Sequence, residues 1–263
     1  MTEARESAGP NAQRAPGEPC WVSLMVHELA ATEEFYAELF GWEFRPGPQQ
    51  LGPYVRALLD GREVAGMGQL PPDPRLPIAW TPYLATNDVD RTADAVRLSG
   101  GTVAVGPIDA AEAGRLAIAS DPSGAVFGIW QGTAHLGTTI TGVPGTPVWN
   151  ELLTYETESV AKFYATVFGY EREPVVAAGL DYVTLHLGGR PVAGLHGVGH
   201  ALPPDRGSHW QTYFEVTDAD ATLRQVVDLG GRVLRPAHDS PHGRVARVAD
   251  PEGAEFSVVQ DPS

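Results

Sequence analysis

Five side chains able to move a proton or hold a cation fall in strand-like stretches of the second half of the chain: Glu151, His196, His209, Gln211 and Glu255. Residues two apart in a strand share a face. Glu151 therefore lies with Trp149, His209 with Gln211, and Glu255 with Ser257. Carboxylates and imidazoles on one surface suit acid–base work, with Glu151 or Glu255 as base and His196 or His209 as acid or positioner. The oxygen and nitrogen donors of Glu151, His196, Gln211 and Glu255 would also suit a divalent cation. The alternative is structural: Glu255 pairs with Arg244 or Arg247, and the histidines sit at a rim. A buried carboxylate requires such a partner.

A second group could line a cavity. His27 and Tyr155 hold equivalent positions near the ends of two matching strands. Trp21, Tyr54, Trp80, Tyr83, Trp149, Tyr182 and Tyr213 are aromatics with polar tips, the type that walls small-molecule pockets. Core packing is the competing role for them. His238 and His242 fall in a predicted loop, and Cys20 has no activating cation beside it in sequence. No glycine-rich phosphate loop and no Ser-His-Asp signature appears.

The elements that must position these groups occur twice. The stretch from Pro147 to Arg172 repeats that from Pro19 to Phe44, matching Trp21 with Trp149, Phe35 with Phe163, Tyr36 with Tyr164 and Gly41 with Gly169. Each copy reads as a strand, then a helix closed by glycine, then a hairpin. Proline-dense connectors follow at 69–77 and 200–208, and the order recurs in each half: strand, helix, a Gly-Gly stop, and a final strand after an Asp-Pro-x-Gly turn. The prediction is four βαβββ modules: a disordered tail over 1–18, a first domain over 19–132, a linker over 133–146 and a second domain over 147–261.

Composition narrows the partners. The net charge of −15 repels phosphate backbones, so nucleic acid is not expected. No apolar run approaches membrane-spanning length and no secretory leader opens the chain, so no membrane partner is expected. A single cysteine fits a reducing cytoplasm. A monomer or homodimer acting on a small molecule is the expectation.

Together, the four modules, the Phe-Tyr helix end, the Gly-Gly pair and the Asp-Pro-x-Gly hairpin resemble the vicinal oxygen chelate superfamily, which includes glyoxalase I, bleomycin-resistance proteins and extradiol dioxygenases. The two-domain style is most similar to actinobacterial glyoxalase-like proteins often labelled hydroxylases. The resemblance implies an α+β fold with two cup-shaped, eight-stranded mixed sheets, each enclosing a cavity. It also implies a divalent metal held by His, Gln or Glu. Transferred onto this chain, the four ligand positions become Trp21, Gly66, Thr81 and Gly128 in the first half, and Trp149, Gly194, Gln211 and Ser257 in the second. Only Gln211 is a ligand type, because indole offers no lone pair to a cation. The expectation is therefore no metal and no cofactor. A displacement by one pleat would collect Glu151, His196, His209, Gln211 and Glu255 on one concave surface. The first half offers Ser23, Gly68 or Met67, Ala79, Thr81 and Val126 in those places. The implied function is a cup that binds a small aromatic or polyketide-like metabolite, in secondary metabolism or resistance. The alternative is an atypical, metal-free enzyme of this fold doing isomerisation, cyclisation or hydroxylation. Ordinary glyoxalase or dioxygenase chemistry is disfavoured by the missing ligands.

Overall fold

The computed structural model describes residues 14–48, 52–73 and 76–261. Four βαβββ modules follow one another. The first runs β1 (Pro19–Val26), α1 (Leu29–Phe40), β2 (Glu43–Pro46), β3 (Tyr54–Leu59) and β4 (Arg62–Gln69). The second runs β5 (Trp80–Ala85), α2 (Val89–Leu98), β6 (Thr102–Asp109), β7 (Gly114–Ser120) and β8 (Val126–Gly132). The third runs β9 (Pro147–Thr154), α3 (Glu158–Phe168), β10 (Glu171–Pro174), β11 (Asp181–Leu187) and β12 (Arg190–Gly197). The fourth runs β13 (His209–Glu215), α4 (Ala219–Asp228), β14 (Arg232–Ser240), β15 (Gly243–Ala249) and β16 (Glu255–Gln260).

Local chemistry sets the boundaries. Asp88 and Asp218 cap α2 and α4 by accepting from the backbone N–H of Arg91 and Ala221, which have no helical partner of their own. Gly41 and Gly169 end α1 and α3 in the left-handed conformation (φ 71° and 75°), which a side chain would disfavour. His238, read as loop from sequence, lies in β14 opposite Val245.

Modules one and two build one sheet, ordered β2-β3-β4-β1-β5-β8-β7-β6; modules three and four build its repeat, β10-β11-β12-β9-β13-β16-β15-β14. Sheets form within halves, but cores form between them. One apolar cluster joins Leu24, Tyr36, Phe40 and Trp80 of the first half to Phe214, Val226 and Phe256 of the second. A second joins Phe127 and Ile129 to Leu152, Tyr164, Phe168 and Trp210, while a smaller third, with Cys20, Trp21 and Trp130, lies within the first half. The sheets thus meet back to back, and their opposite faces point away from one another.

The two repeated sequence signals meet at this seam. Tyr36 donates to Asp250 (3.2 Å) and accepts from Trp80 Nε1 (3.0 Å). Tyr164 donates to Asp121 (3.1 Å) and accepts from Trp210 Nε1 (3.1 Å). The Phe-Tyr tyrosine of each half therefore closes on the Asp-Pro-x-Gly aspartate of the other. Burial raises the carboxyl of Asp250 to about 6, against the hydrogen bonds from Ala254 N–H and Tyr36 that favour its ionised form. Asp121 is raised for the same reason. A carboxyl whose pKa is higher folded than unfolded favours the folded state when protonated. That stability is complete below about pH 4, is lost as pH rises towards about 6 to 7, and amounts to roughly 3 kcal/mol by linkage. Thermal midpoints are expected to fall across this window in the wild type and to flatten in Asp250→Asn. An unchanged slope in that variant would refute the assignment.

Residues 14–18, expected within a disordered tail, are fixed: Gly17 N–H bonds to Ala85 O (2.8 Å), and Arg14 pairs with Glu18 (2.9 Å) and reaches Thr138 O (2.5 Å). Residues 1–13 of that expected tail lie outside the described residues. The connecting stretch 133–146 is also tied down. Thr138 N–H bonds to Cys20 O (2.8 Å), Thr139 N–H to Glu63 O (2.9 Å), and Trp42 Nε1 to Gly145 O (2.8 Å).

Candidate functional site

The register settles which side chains share the open faces. In the first sheet, Trp21 lies opposite Tyr83, Ser23 opposite both Thr81 and Gly66, and Tyr54 opposite Gly68. In the second, Trp149 lies opposite Tyr213, Glu151 opposite both Gln211 and Gly194, and Tyr182 opposite His196. Each cup carries the same Trp-Tyr-Tyr trio. Ser23 stands at its centre in the first, Glu151 in the second.

In the first cup, Tyr54 Oη accepts from Trp21 Nε1 (3.0 Å) and lies 3.2 Å from Ser23 Oγ. Ser23 also bonds to Tyr83. Beside them, Glu63 joins Arg56 (2.7 Å) to His135 Nδ1 (2.8 Å). The His135 ring packs edge-on against Trp21 at 4.4 Å between centroids. His135, from the connecting stretch, fills one end of this face. Nothing in a glycine- and threonine-rich segment signalled that role.

In the second cup, Glu151 is the hub. Tyr213 donates to its Oε2 (3.0 Å), Tyr182 hydrogen-bonds to it while also contacting Trp149, and His196 Nδ1 lies 3.7 Å from Oε2. Burial, reinforced by the Glu151 charge, raises both tyrosines well above their usual range, so they stay neutral and act as donors. Glu151 retains 12% side-chain exposure and His196 33%, so the hub remains open to a ligand.

The other sequence candidates divide. Glu255 pairs with Arg206 and lies 3.8 Å from Arg247. Arg247, one of the two expected partners, is therefore near, but Arg244 faces outward to Asp220 and Asp239. Arg206 was missed because a loop residue carries no periodicity. His209 sits on the open face beside this pair, 9% exposed. Gln211, taken as a possible ligand, turns its amide oxygen to the backbone N–H groups of Ser257 (2.9 Å) and Phe256 (3.2 Å), and so bridges β13 and β16.

Two cavity-lining expectations, Trp80 and Tyr155, are corrected, and His27 lines a rim groove. Trp80 points to the core face, 2% exposed, because its parity is that of Leu24 and not Ser23. Tyr155 lies one residue past β9, is 54% exposed and packs on His200 at 5.4 Å. His27 follows β1 and lines an open rim groove of about 740 Å³ with Pro53, Gln69 and Pro71. Its backbone N–H is held by Glu252 (3.0 Å), which anchors the segment to the other half.

The residues do not fit the metal that the resemblance implies. A Cβ on Gly66 would stand 1.8 Å from Tyr54 Oη, on Gly128 2.1 Å from the Tyr83 ring, and on Gly194 2.1 Å from Tyr182 Oη. Tyrosine side chains fill the space over these glycines. Among the described residues, no group of three or more His, Cys, Asp and Glu could hold a metal ion. Of the displaced set, Glu255 is held by Arg206 and the Gln211 amide oxygen by the β16 backbone. Gly194→Ala is expected to push Tyr182 off Glu151 while leaving the fold intact. A tyrosine titration brought down towards its usual range in ultraviolet difference spectra would show it, and unchanged spectra would count against this packing.

Profiles of known families match both halves: "Glyoxalase/Bleomycin resistance protein/Dioxygenase superfamily" over residues 20–129 and "Glyoxalase-like domain" over residues 151–259. CFP32 of Mycobacterium bovis, provisionally named a glyoxylase, is 38% identical over 93% of this chain and 95% of its own. The anthracycline biosynthesis protein DnrV of Streptomyces peucetius is 37% identical over 94% of each. Among solved structures, the Mn(II)-bound glyoxalase of Novosphingobium aromaticivorans aligns with TM-score 0.64 at 14% identity, covering 94% of this chain and 82% of that one. The 2,3-dioxygenase LapB of Pseudomonas sp. KL28 aligns with TM-score 0.63 at 15% identity, covering 95% and 94%. At those identities the structures testify to the fold alone. Two cups of four βαβββ modules, and relatives matched along nearly their whole length, place this chain in the glyoxalase/bleomycin resistance protein/dioxygenase superfamily, the vicinal oxygen chelate fold.

Proposed function

We propose that the protein binds a small aromatic or polyketide-like metabolite in its second cup, without the usual metal, and serves secondary metabolism or resistance. One observation carries this reading. Between Gly194 and Gln211, two of the positions transferred from the superfamily's metal site, the second cup presents the Glu151 carboxylate, aimed by Tyr182 and Tyr213 and flanked by Trp149. A carboxylate held by two neutral hydroxyl groups on an aromatic-walled face can accept a ligand hydroxyl while the rings pack against an aromatic body. The likeness to a protein named for anthracycline biosynthesis supports this ligand class.

A second reading has its own observation. His196 Nδ1 stands 3.7 Å from Glu151 Oε2 and both are accessible, so the pair could remove and return a proton on a bound substrate. Acid–base isomerisation or cyclisation would follow from the same geometry. Titration with a hydroxylated anthraquinone, followed by intrinsic fluorescence, tests the binding, and a product search in the same mixture tests turnover. Elemental analysis is expected to give well under one equivalent of zinc, iron or manganese. A stoichiometric divalent metal in active protein would sink the metal-free reading.

A further inference from the structure

The second cup holds one more polar group besides the Glu151 hub. His209 lies on the open face of β13, in line with Gln211 and Tyr213. Its Nδ1 is 2.8 Å from Gly207 O. A carbonyl oxygen only accepts, so the ring proton is on Nδ1 and Nε2 presents a lone pair. That Nε2 is buried and has no hydrogen-bond partner. Burial, with Arg206 and Arg247 nearby, pulls the imidazole pKa down, so the ring stays neutral and Nε2 stays an acceptor. Arg206 is committed to Glu255. The one polar contact of Arg247 among the described residues is its 3.8 Å approach to Glu255 Oε2.

We propose that His209 and Arg247, braced by the Arg206–Glu255 pair, form a second anchoring subsite of this cup that takes an acidic hydroxyl of the ligand, phenolic or enolic. The inference rests on the reading of the second cup as the ligand chamber. Such a hydroxyl gives its hydrogen to Nε2, and its oxygen, carrying partial negative charge, faces the Arg247 guanidinium. A ligand ammonium would meet two guanidinium groups of its own sign. An ionised carboxylate has no hydrogen to offer Nε2. The spacing adds a constraint. His209 pairs with Leu153 and Gln211 with Glu151, so His209 stands one pleat, roughly 7 Å, along β13 from the level of the Glu151 hub, and Arg247, paired with Ser257 on β16, reaches in from β15. A flat ring system with oxygen functions at opposite ends spans the two anchors.

The test uses the full-length chain and three probes in calorimetric titration: a naphthalene diol with its hydroxyls at opposite ends, its monomethyl ether, and the analogue with a carboxyl in place of one hydroxyl. The diol is expected to bind about tenfold tighter than the ether, the effect of one good hydrogen bond. His209→Ala and Arg247→Gln should each bring that ratio close to one, and Glu151→Gln should weaken diol and ether together. Arg247 is part-exposed, so its variant keeps the test open if His209→Ala fails to fold. A diol-to-ether preference that survives both substitutions overturns the subsite but leaves the cup reading standing, provided Glu151→Gln still weakens binding. Tighter binding of the carboxyl analogue overturns the choice of a hydroxyl. Probes that do not bind, or that bind with no response to Glu151→Gln, overturn the cup reading and the subsite with it.

Discussion

Glu151→Gln is expected to weaken binding of a hydroxylated aromatic ligand by about ten- to a hundredfold. The substitution keeps the side chain's shape, and the amide oxygen can still accept from Tyr213, so the cup should fold as before. What it removes is the charge. A hydrogen bond to a charged group contributes about 1.5 to 3 kcal/mol, against roughly 1 for a neutral one. If the protein also turns its ligand over, removal of the Glu151 carboxylate beside His196 should cost about 10² to 10⁴ in rate, the usual share of a general base. Glu151→Ala goes further, because it leaves the Tyr182 and Tyr213 hydroxyls without their acceptor in a half-buried site. The corresponding change in the first cup, Ser23→Ala, should leave ligand affinity within about twofold, since no carboxylate stands at that centre. Calorimetric titration of the three variants decides the matter. An affinity that follows Ser23 rather than Glu151 would place the ligand in the first cup.

Tyr36→Ala should produce the largest loss of stability. The side chain has no exposed surface and contacts Phe35, Phe40, Trp42, Trp80 and Phe256. Deleting a buried aromatic of this kind costs about 3 to 5 kcal/mol. The buried Trp80 N–H and Asp250 carboxyl also lose their common partner. For a chain of this size the thermal midpoint should fall on the order of 10 °C. The form of the transition is as informative as its midpoint. The two largest apolar clusters each draw on both halves, so calorimetry is expected to show the halves unfolding together, in the wild type and in the variant. Two separated transitions, only one of them moved by the substitution, would contradict a shared core.

Much of the architecture was legible in the residues. The repeat of Trp21, Phe35, Tyr36 and Gly41 at Trp149, Phe163, Tyr164 and Gly169 announced a duplicated module, and period-two and helical spacing located most of its elements. Both are local properties that follow from backbone geometry and from capping. The absence of metal-binding types at the transferred positions other than Gln211 was also readable, because it concerns residue identity alone. The sequence could not say that Tyr54 and Tyr83 lie over Gly66 and Gly128, since cross-strand neighbours are chosen by register. Trp80 misled for a related reason: one residue of parity separates a cavity wall from a core, and composition does not reveal which face is which. Arg206 and His135 lie in loops without a period, and their partners Glu255 and Glu63 are far away in sequence.

By itself, then, the sequence determined the module, its fourfold repetition and the α+β class, all of which are written in residue type and short-range spacing. Only the tertiary structure decided which half faces which, that Tyr36 closes on Asp250 and Tyr164 on Asp121, and that Glu151 gathers two tyrosines while the Gln211 amide oxygen turns to the backbone. Those outcomes depend on how sheets pack and strands register over a hundred residues or more. They minimise buried polar groups without partners across the whole chain, a condition that no short stretch can satisfy or express.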